Sequence, residues 1–208
     1  ALWWPATPWW ARWQAWANSK CAWFKTMWHR PLIQHCKSCG SAVTYRVPDD
    51  GDTRERAVCN ACNTIHYENP LNVVGTVPVW ENKVLLCKRN IEPRFGKWTL
   101  PAGFMELNET VAQGAARETI EEAGAQFEMQ DLFTLMNVTR VGQVHFFYRA
   151  QLTSDRFDPG HETQEARLFA EHEIPWDEIS FRTVKETLQH YFADAKKGKF
   201  ELHHVDIV

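Results

Sequence analysis

Two Cys-x-x-Cys pairs, Cys36-Lys-Ser-Cys39 and Cys59-Asn-Ala-Cys62, stand 19 residues apart in the first third of the chain. At that spacing two short turns direct four thiolates onto one tetrahedral zinc ion. The intervening 43–58 stretch can make the hairpin that brings the pairs together, so residues 35–69 are expected to form a small zinc ribbon. Neither pair opens a helix after a strand, which argues against two redox dithiols. Four sulfurs leave no open coordination position, so the Zn²⁺ is expected to be structural rather than catalytic. His35 and His66 flank the pairs and are expected beside the site rather than in it. Cys87 reads as a core residue of an apolar strand, and nothing assigns Cys21. Paired metal-ligand cysteines point to a reducing compartment, with the cytoplasm as the expected location.

The rest of the 208-residue chain divides around this module. Residues 1–34 form a Trp-rich extension that holds eight of the eleven tryptophans before residue 29. Trp9, Trp13 and Trp16 have helical spacing beside Arg12, Lys20 and Lys25, a pattern shared by interfacial membrane helices and targeting segments. The favoured reading is an upstream extension without chemistry. Six of the 23 Lys and Arg and none of the 26 Asp and Glu fall within residues 1–48, so the remaining body carries a charge of about −9. An acidic body binds nucleic acid poorly, and phosphate must be met by local cations or metals. No apolar run approaches the ~18 residues of a membrane span, and the chain reads as a soluble globular protein.

Residues 70–208 read as one larger α/β unit. Leu71–Trp80 and Lys83–Lys88 are β-rich runs joined by the turn-like Glu81-Asn82, which predicts a hairpin. A Gly/Pro-punctuated loop follows, and helical spacing over Glu109–Ala123 stops at Gly124. Further strands are expected near 125–135, 143–152 and 167–170, and a helix over 180–197 ends at Gly198. Two helices among these strands favour a mixed sheet packed between helices, an α+β arrangement. His203-His204 near the terminus is expected to be unstructured. In the first helix, Glu118, Glu121 and Glu122 span about 100° of one face, with the Ala112/Ala116/Thr119/Ala123 stripe well away from it. Clustered carboxylates repel one another, and hard divalent cations such as Mg²⁺ or Mn²⁺ relieve that cost. A solvated acidic face with ion pairs such as Arg117–Glu121 is the alternative.

The spacing of the whole stretch decides between them, because it resembles the Nudix box, Gly-x5-Glu-x7-Arg-Glu-aliphatic-x-Glu-Glu-x-Gly-aliphatic. Gly103, Glu109, Arg117, Glu118, Glu121, Glu122 and Gly124 all fall in place, while Thr119 and Ala125 depart from the aliphatic positions. The resemblance implies a Nudix α/β/α sandwich that presents divalent metals to a nucleoside diphosphate linked to another group. It implies Glu118 and Glu122 as principal Mg²⁺ or Mn²⁺ ligands and Glu121 as a further ligand or base. Glu109 and Arg117 would form a bracing salt bridge, and Gly103 would let the loop backbone approach the metal site. A further carboxylate from a later loop is often used by related enzymes. Glu162 and Glu165 match that region, Glu162 slightly the better by analogy.

The ribbon, Asn69-Pro70, Val73-Val74-Gly75, Leu85 to Asn90 and Trp98 to Gly103 extend the resemblance to zinc-ribbon Nudix proteins similar to plant-type ADP-ribose/FAD diphosphatases, over roughly residues 35–200. NADH pyrophosphatases share ribbon and box, but their Ser-Gln-Pro-Trp-Pro-Phe-Pro motif is absent. The proline of many ADP-ribose pyrophosphatases, about sixteen residues past the box, is missing too, with Val141 near its place. The implied reaction is attack of water on one phosphorus of a pyrophosphate bridge, with Mg²⁺ neutralising charge. FAD would give FMN and AMP, and ADP-ribose would give AMP and ribose 5-phosphate. Arg89, Arg94, Lys97 and Arg140 are candidates to meet phosphates, with solvated surface charge the default for each; Phe95, Trp98 and Phe146-Phe147-Tyr148 are expected in the core. Expected partners are a small-molecule nucleotide, NAD-capped RNA as the one nucleic-acid exception, and a second copy of the chain in a homodimer. The competing classes are an NADH or NAD-cap pyrophosphatase and a non-catalytic zinc-ribbon RNA-binding or regulatory module.

Overall fold

A computed structural model describes residues 32–208; the expectations for the Trp-rich segment through residue 31, and for Cys21, lie outside the described residues. The chain divides after Asn69 into two units.

In the first unit, β1 (Val43–Arg46) and β2 (Arg56–Cys59) form an antiparallel hairpin, and β3 (Ile65–His66) adds to β2. The pairing Val43 opposite Cys59 sets the second cysteine pair at the end of the ladder. An isolated bridge between His35 and Ala42 closes the turn that carries the first pair.

The second unit is a mixed sheet between two helices. Its strands are β4 (Leu71–Trp80), β5 (Lys83–Arg89), β6 (Trp98–Thr99), β7 (Ala102–Phe104), β8 (Phe127–Val138), β9 (Gln143–Leu152), β10 (Thr163–Phe169) and β11 (His203–Ile207). The main path runs β10-β5-β4-β9-β8-β11, with β6 on β5 and β7 on β4. The β4–β9 and β8–β11 ladders are parallel and the others antiparallel. Helix α1 (Val111–Ala123) packs on one sheet face, where Leu85, Cys87, Ala123, Ala125 and Leu152 are buried together. On the other face, Val184, Leu188, Tyr191 and Phe192 of α2 (Arg182–Lys197) cover Val77, Leu86, Phe133 and Phe147. Period-2 alternation along β5 divides these sets, sending Leu85 and Cys87 to α1 and Val84 and Leu86 to α2.

The β4–β5 ladder runs only through Val79/Val84 and Trp80/Lys83. Pro78, just before it, has no N–H to offer a neighbour. Beyond that point the two strands take different partners: β6 joins β5 at Cys87 and Lys88, while β7 joins β4 at Val73 to Gly75. The Trp98–Phe104 segment therefore lies between them and is carried under α1, which places Gly103 at the helix.

Several expectations shift. The helix begins at Val111, not Glu109, because Thr110 caps it: Thr110 Oγ1 accepts from the Gln113 N–H at 3.2 Å and Gln113 Oε1 accepts from the Thr110 N–H at 2.8 Å. β10 starts four residues before the expected Arg167. His203 and His204 are not unstructured; they open β11, paired with Thr134 and Leu135 of β8. His203 is fixed there by the buried Asp194 of α2, 2.7 Å away. Phe95 is exposed rather than in the core, whereas Trp98 and Phe147 are buried as expected.

Candidate active site and zinc centre

The four sulfurs of Cys36, Cys39, Cys59 and Cys62 lie within 4.8 Å of one another. Cys36 and Cys62 are 3.7 Å apart and Cys39 and Cys59 3.4 Å. Sulfurs on the corners of a tetrahedron with Zn–S bonds of about 2.3 Å stand about 3.8 Å apart, so the cluster fits one zinc ion after small adjustments. Backbone N–H groups point inward as well: Ser38 donates to Cys36 Sγ at 3.3 Å, and Ala61 and Cys62 donate to Cys59 Sγ at 3.4 Å each. Such donors favour thiolate over thiol. His66 is buried, and neither it nor His35 belongs to the cluster.

In the second unit Arg117 is the hub. Its Nε donates to Glu109 Oε2 at 3.0 Å and its Nη2 to Glu109 Oε1 at 2.8 Å, a two-point fork that fits the planar guanidinium. Nη2 also donates to the Phe104 carbonyl at 3.1 Å, which ties α1 to the end of β7. Nη1 reaches Glu118 Oε1 at 2.8 Å and Glu121 Oε2 at 3.3 Å. The fork from Arg117, with help from the Glu106 N–H, holds the Glu109 carboxyl down at about 2.

Glu118 and Glu122 both address the same strand, β7. Gly103 lies so close to the Glu118 carboxylate that a Cβ there would overlap it, and the Ala102 N–H donates to Glu122 Oε2 at 3.1 Å. Burial raises the Glu122 carboxyl to about 8, with the Glu118 and Glu162 charges adding to the rise and Ala102 and Arg89 opposing it. Burial also raises Glu118, against Arg117, and Glu121 and Glu162 push the same way. Glu121 is the exposed member, with 60% of its side-chain surface accessible.

This geometry corrects the expected helix faces. The buried residues of α1 are Gly114, Ala115, Thr119, Glu122 and Ala123, whereas Ala112 and Ala116 are half-buried. The packing face is thus turned toward the carboxylates, and Glu122 lies within it. Thr119, at an aliphatic position of the box, is fully buried and satisfied: its hydroxyl meets the Thr76 hydroxyl of β4 at 2.7 Å and donates to the Ala115 carbonyl at 2.7 Å. Nothing in the sequence pattern announced this pair.

The two loop carboxylates part company. Glu162 sits in the turn before β10 and is close enough to act on Glu118, Glu122 and Arg89. Glu165 shares a strand face with Arg167 and Phe169, the α2 side of the sheet, and pairs with Arg167 at 3.8 Å. It therefore points away from the helix that carries Glu118 and Glu122. Arg89 is not solvated surface charge either. It is buried, its Nε donates to the Pro93 carbonyl at 2.9 Å, and its guanidinium lies 5.3 Å from the Phe181 ring centre.

Among the described residues only the cysteine sulfurs draw within 4.8 Å of one another as a ligand group; in the carboxylate cluster Arg117 takes up Glu118 and Glu121. The donor set nonetheless suits a hard divalent cation. Glu118, Glu121, Glu122 and Glu162 supply oxygen ligands only, and against these four carboxylates stand two arginines, Arg117 and Arg89, the first of them already forked to Glu109.

The family profile described as NUDIX domain matches residues 70–199, and the profile described as Nudix N-terminal, a zinc ribbon, matches residues 34–68. The crystal structure of a NUDIX hydrolase from Nitrosomonas europaea is 49% identical, with a TM-score of 0.81 over 84% of this chain and 99% of that one. An ADP-ribose pyrophosphatase of Methanocaldococcus jannaschii is 27% identical over 113 residues, 52% of this chain and 67% of that protein. An NAD-capped RNA hydrolase, NudC, of Vibrio parahaemolyticus is 28% identical over 118 residues, 56% of this chain. The chain spans 45% of that relative's length. No helix among the described residues is long and apolar enough to cross a membrane.

Proposed function

We propose that this chain, which belongs to the NUDIX domain family, hydrolyses the pyrophosphate bond of a nucleoside diphosphate linked to another group, with ADP-ribose and FAD as preferred substrates. The observation that carries the reading is the arrangement of Glu118 and Glu122 on adjacent turns of α1, both facing Ala102 and Gly103 of β7, with Glu162 near enough for its charge to raise both carboxyls. Bound Mg²⁺ or Mn²⁺ would supply neutralisation of the bridging phosphates and of the leaving group. Glu118 and Glu122 would hold the cations, with Glu121 free to join them by releasing its 3.3 Å contact to Arg117.

Glu162 is the carboxylate best placed to orient the attacking water and take up its proton, since its side chain is partly solvated and it has no cationic fork of its own. Arg117 and Glu109 keep α1 at a fixed distance from β7, which positions the reacting groups before substrate arrives. Arg89, buried beside Glu122 and Glu162, is the arginine among the four basic candidates that could meet a phosphate in the site. ADP-ribose is supported by the resemblance and by the named activity of the archaeal relative; FAD is supported by the resemblance alone.

A second reading, hydrolysis of NADH or of NAD-capped RNA, is favoured by the ribbon profile and by the named activity of the Vibrio relative. It breaks the same bond on an AMP-pyrophosphate unit, so the box chemistry would serve it unchanged. A screen of ADP-ribose, FAD, NADH and NAD-capped RNA with Mg²⁺ or Mn²⁺, with products identified, separates the two. The reading stands if ADP-ribose or FAD has the higher kcat/KM and fails if NADH leads by about tenfold, a difference within what contacts to the distal group can produce.

A further inference from the structure

Asn90, the residue after β5, has two donors on the turn that carries Glu162. Its backbone N–H donates to the Glu162 carbonyl at 2.7 Å, and its Nδ2 donates to the His161 carbonyl at 2.9 Å. The turn runs from Gly160 to Thr163 and is closed by the Thr163 N–H donating to the Gly160 carbonyl at 3.0 Å. His161 and Glu162 are its central residues, so Asn90 engages both central carbonyls. The same segment is fastened to α1. Asp158 N–H donates to the Ala123 carbonyl at 3.1 Å, and Gly160 lies so close to the Glu121 carbonyl that a Cβ would overlap it.

We propose that Asn90 is a positioning residue that sets the approach of Glu162 to Glu118 and Glu122. This rests on the reading above in which Glu162 takes part in the reaction. The Glu162 side chain is 44% accessible and lies 3.6 Å from His161 Nε2, whose side chain is 92% accessible. An ion pair that exposed contributes little, so the direction of the carboxylate depends on how the turn's backbone is held. α1 fixes the entry to the turn at Asp158 and Gly160, and Asn90 fixes the two peptide units that flank the Glu162 Cα. Asn suits the position because its short side chain carries an amide donor. An aspartate in its place would oppose a carboxylate to the His161 carbonyl. Asn90 is exposed, and its backbone bond to Glu162 survives any substitution except proline, so removing the amide loosens the turn without opening the core.

The test compares Asn90→Ala, Asn90→Asp, Glu162→Gln and the Asn90→Ala/Glu162→Gln double variant in the full zinc-loaded chain. Turnover is measured with Mn²⁺ on whichever substrate the wild type hydrolyses best, and backbone exchange of residues 158–163 is followed by hydrogen-exchange mass spectrometry. Groups that orient a metal-site ligand typically change activity by about 10- to 100-fold when removed. Each Asn90 substitution is therefore expected to lower kcat about tenfold or more, with KM within about twofold of wild type, and to speed exchange in 158–163 but not in α1. In the Glu162→Gln background the Asn90→Ala loss should shrink below about twofold, because the carboxylate it acts through is gone. An equal loss in both backgrounds overturns the proposal, as does unchanged exchange or unchanged kcat in the single variants. A wild-type kcat for Glu162→Gln overturns the role of Glu162 itself, which is a separate failure read without any change at residue 90.

Discussion

Glu122→Gln should make the cation-free protein more stable at neutral and alkaline pH while abolishing turnover. The Glu122 carboxyl is buried and raised to about 8, against an ordinary 4.5, chiefly by loss of solvation. Between those two values the unfolded chain has released this proton and the folded chain has kept it, so stability falls as pH rises through the window and levels off above it. At about 1.4 kcal/mol per unit, the loss reaches roughly 3 kcal/mol at pH 7 and roughly 5 kcal/mol by pH 9. Glutamine keeps the shape and the oxygen that accepts from Ala102 N–H, and it does not titrate. Its stability should therefore lack this slope, and it should exceed wild type by a few kcal/mol at pH 9, less any cost of burying an unpaired amide N–H, about 1 to 3 kcal/mol. Urea unfolding of zinc-loaded protein without added Mg²⁺ or Mn²⁺, read by hydrogen exchange in the β4 and β9 peptides between pH 5 and 9, measures the second unit alone. Adding Mg²⁺ should restore the wild type at pH 8 and leave the variant unmoved. Buried His145, whose pKa is lowered to about 4, adds stability as pH rises toward 6.5 in both proteins, so the deciding quantity is the difference between them. A wild type that loses no stability relative to the variant between pH 5 and 8, or a variant that is the less stable protein at pH 9, would refute the reasoning.

Three further outcomes follow from the same geometry. Glu165→Gln should leave kcat within about twofold of wild type, since its side chain lies on the α2 face with Arg167; a loss of tenfold would place it in the site after all. Cys36→Ser should abolish retention of one zinc per chain and expose the 35–69 segment to proteolysis, because small four-thiolate modules draw much of their folding free energy from the metal; metal analysis and limited proteolysis decide it, and a zinc-retaining, resistant ribbon contradicts it. Thr119→Val should cost about 1 to 3 kcal/mol in thermal or urea unfolding, because it leaves the buried Thr76 hydroxyl without its partner; an unchanged midpoint would show that the pair contributes nothing net.

What the sequence made legible was whatever rested on fixed spacing or strong local chemistry. The four cysteines, the αL cap at Gly124, the Glu81-Asn82 hairpin and the β9 limits all belong to that class. The capping box at Thr110 and Gln113 was equally local and would have corrected the helix start. Other features depend on tertiary partners. β6 and β7 are two and three residues long in a Gly/Pro-rich stretch, and they become strands only because β4 and β5 separate to receive them. β11 is rich in His and Asp and is held by β8 and by Asp194. The rotation of α1 was hidden because the Ala112/Ala116/Thr119/Ala123 stripe looked like the whole packing face, whereas this fold half-exposes Ala112 and Ala116 and buries Glu122 against its own hydropathy. Only the analogy slightly favours Glu162 over Glu165, for the residue pattern alone does not separate them; the irregular register between Thr163 and Glu165 and the strand alternation after it send them to different places.

The most direct test of the central claim is product analysis of ADP-ribose incubated with the zinc-loaded chain, with and without Mg²⁺ or Mn²⁺. The account predicts AMP and ribose 5-phosphate in equal amounts, formed only when the divalent cation is present and lost in Glu118→Gln, whose carboxylate faces Gly103. Cleavage that persists in Glu118→Gln, or no divalent-dependent cleavage of ADP-ribose or of FAD, NADH and NAD-capped RNA in the same assay, would contradict it.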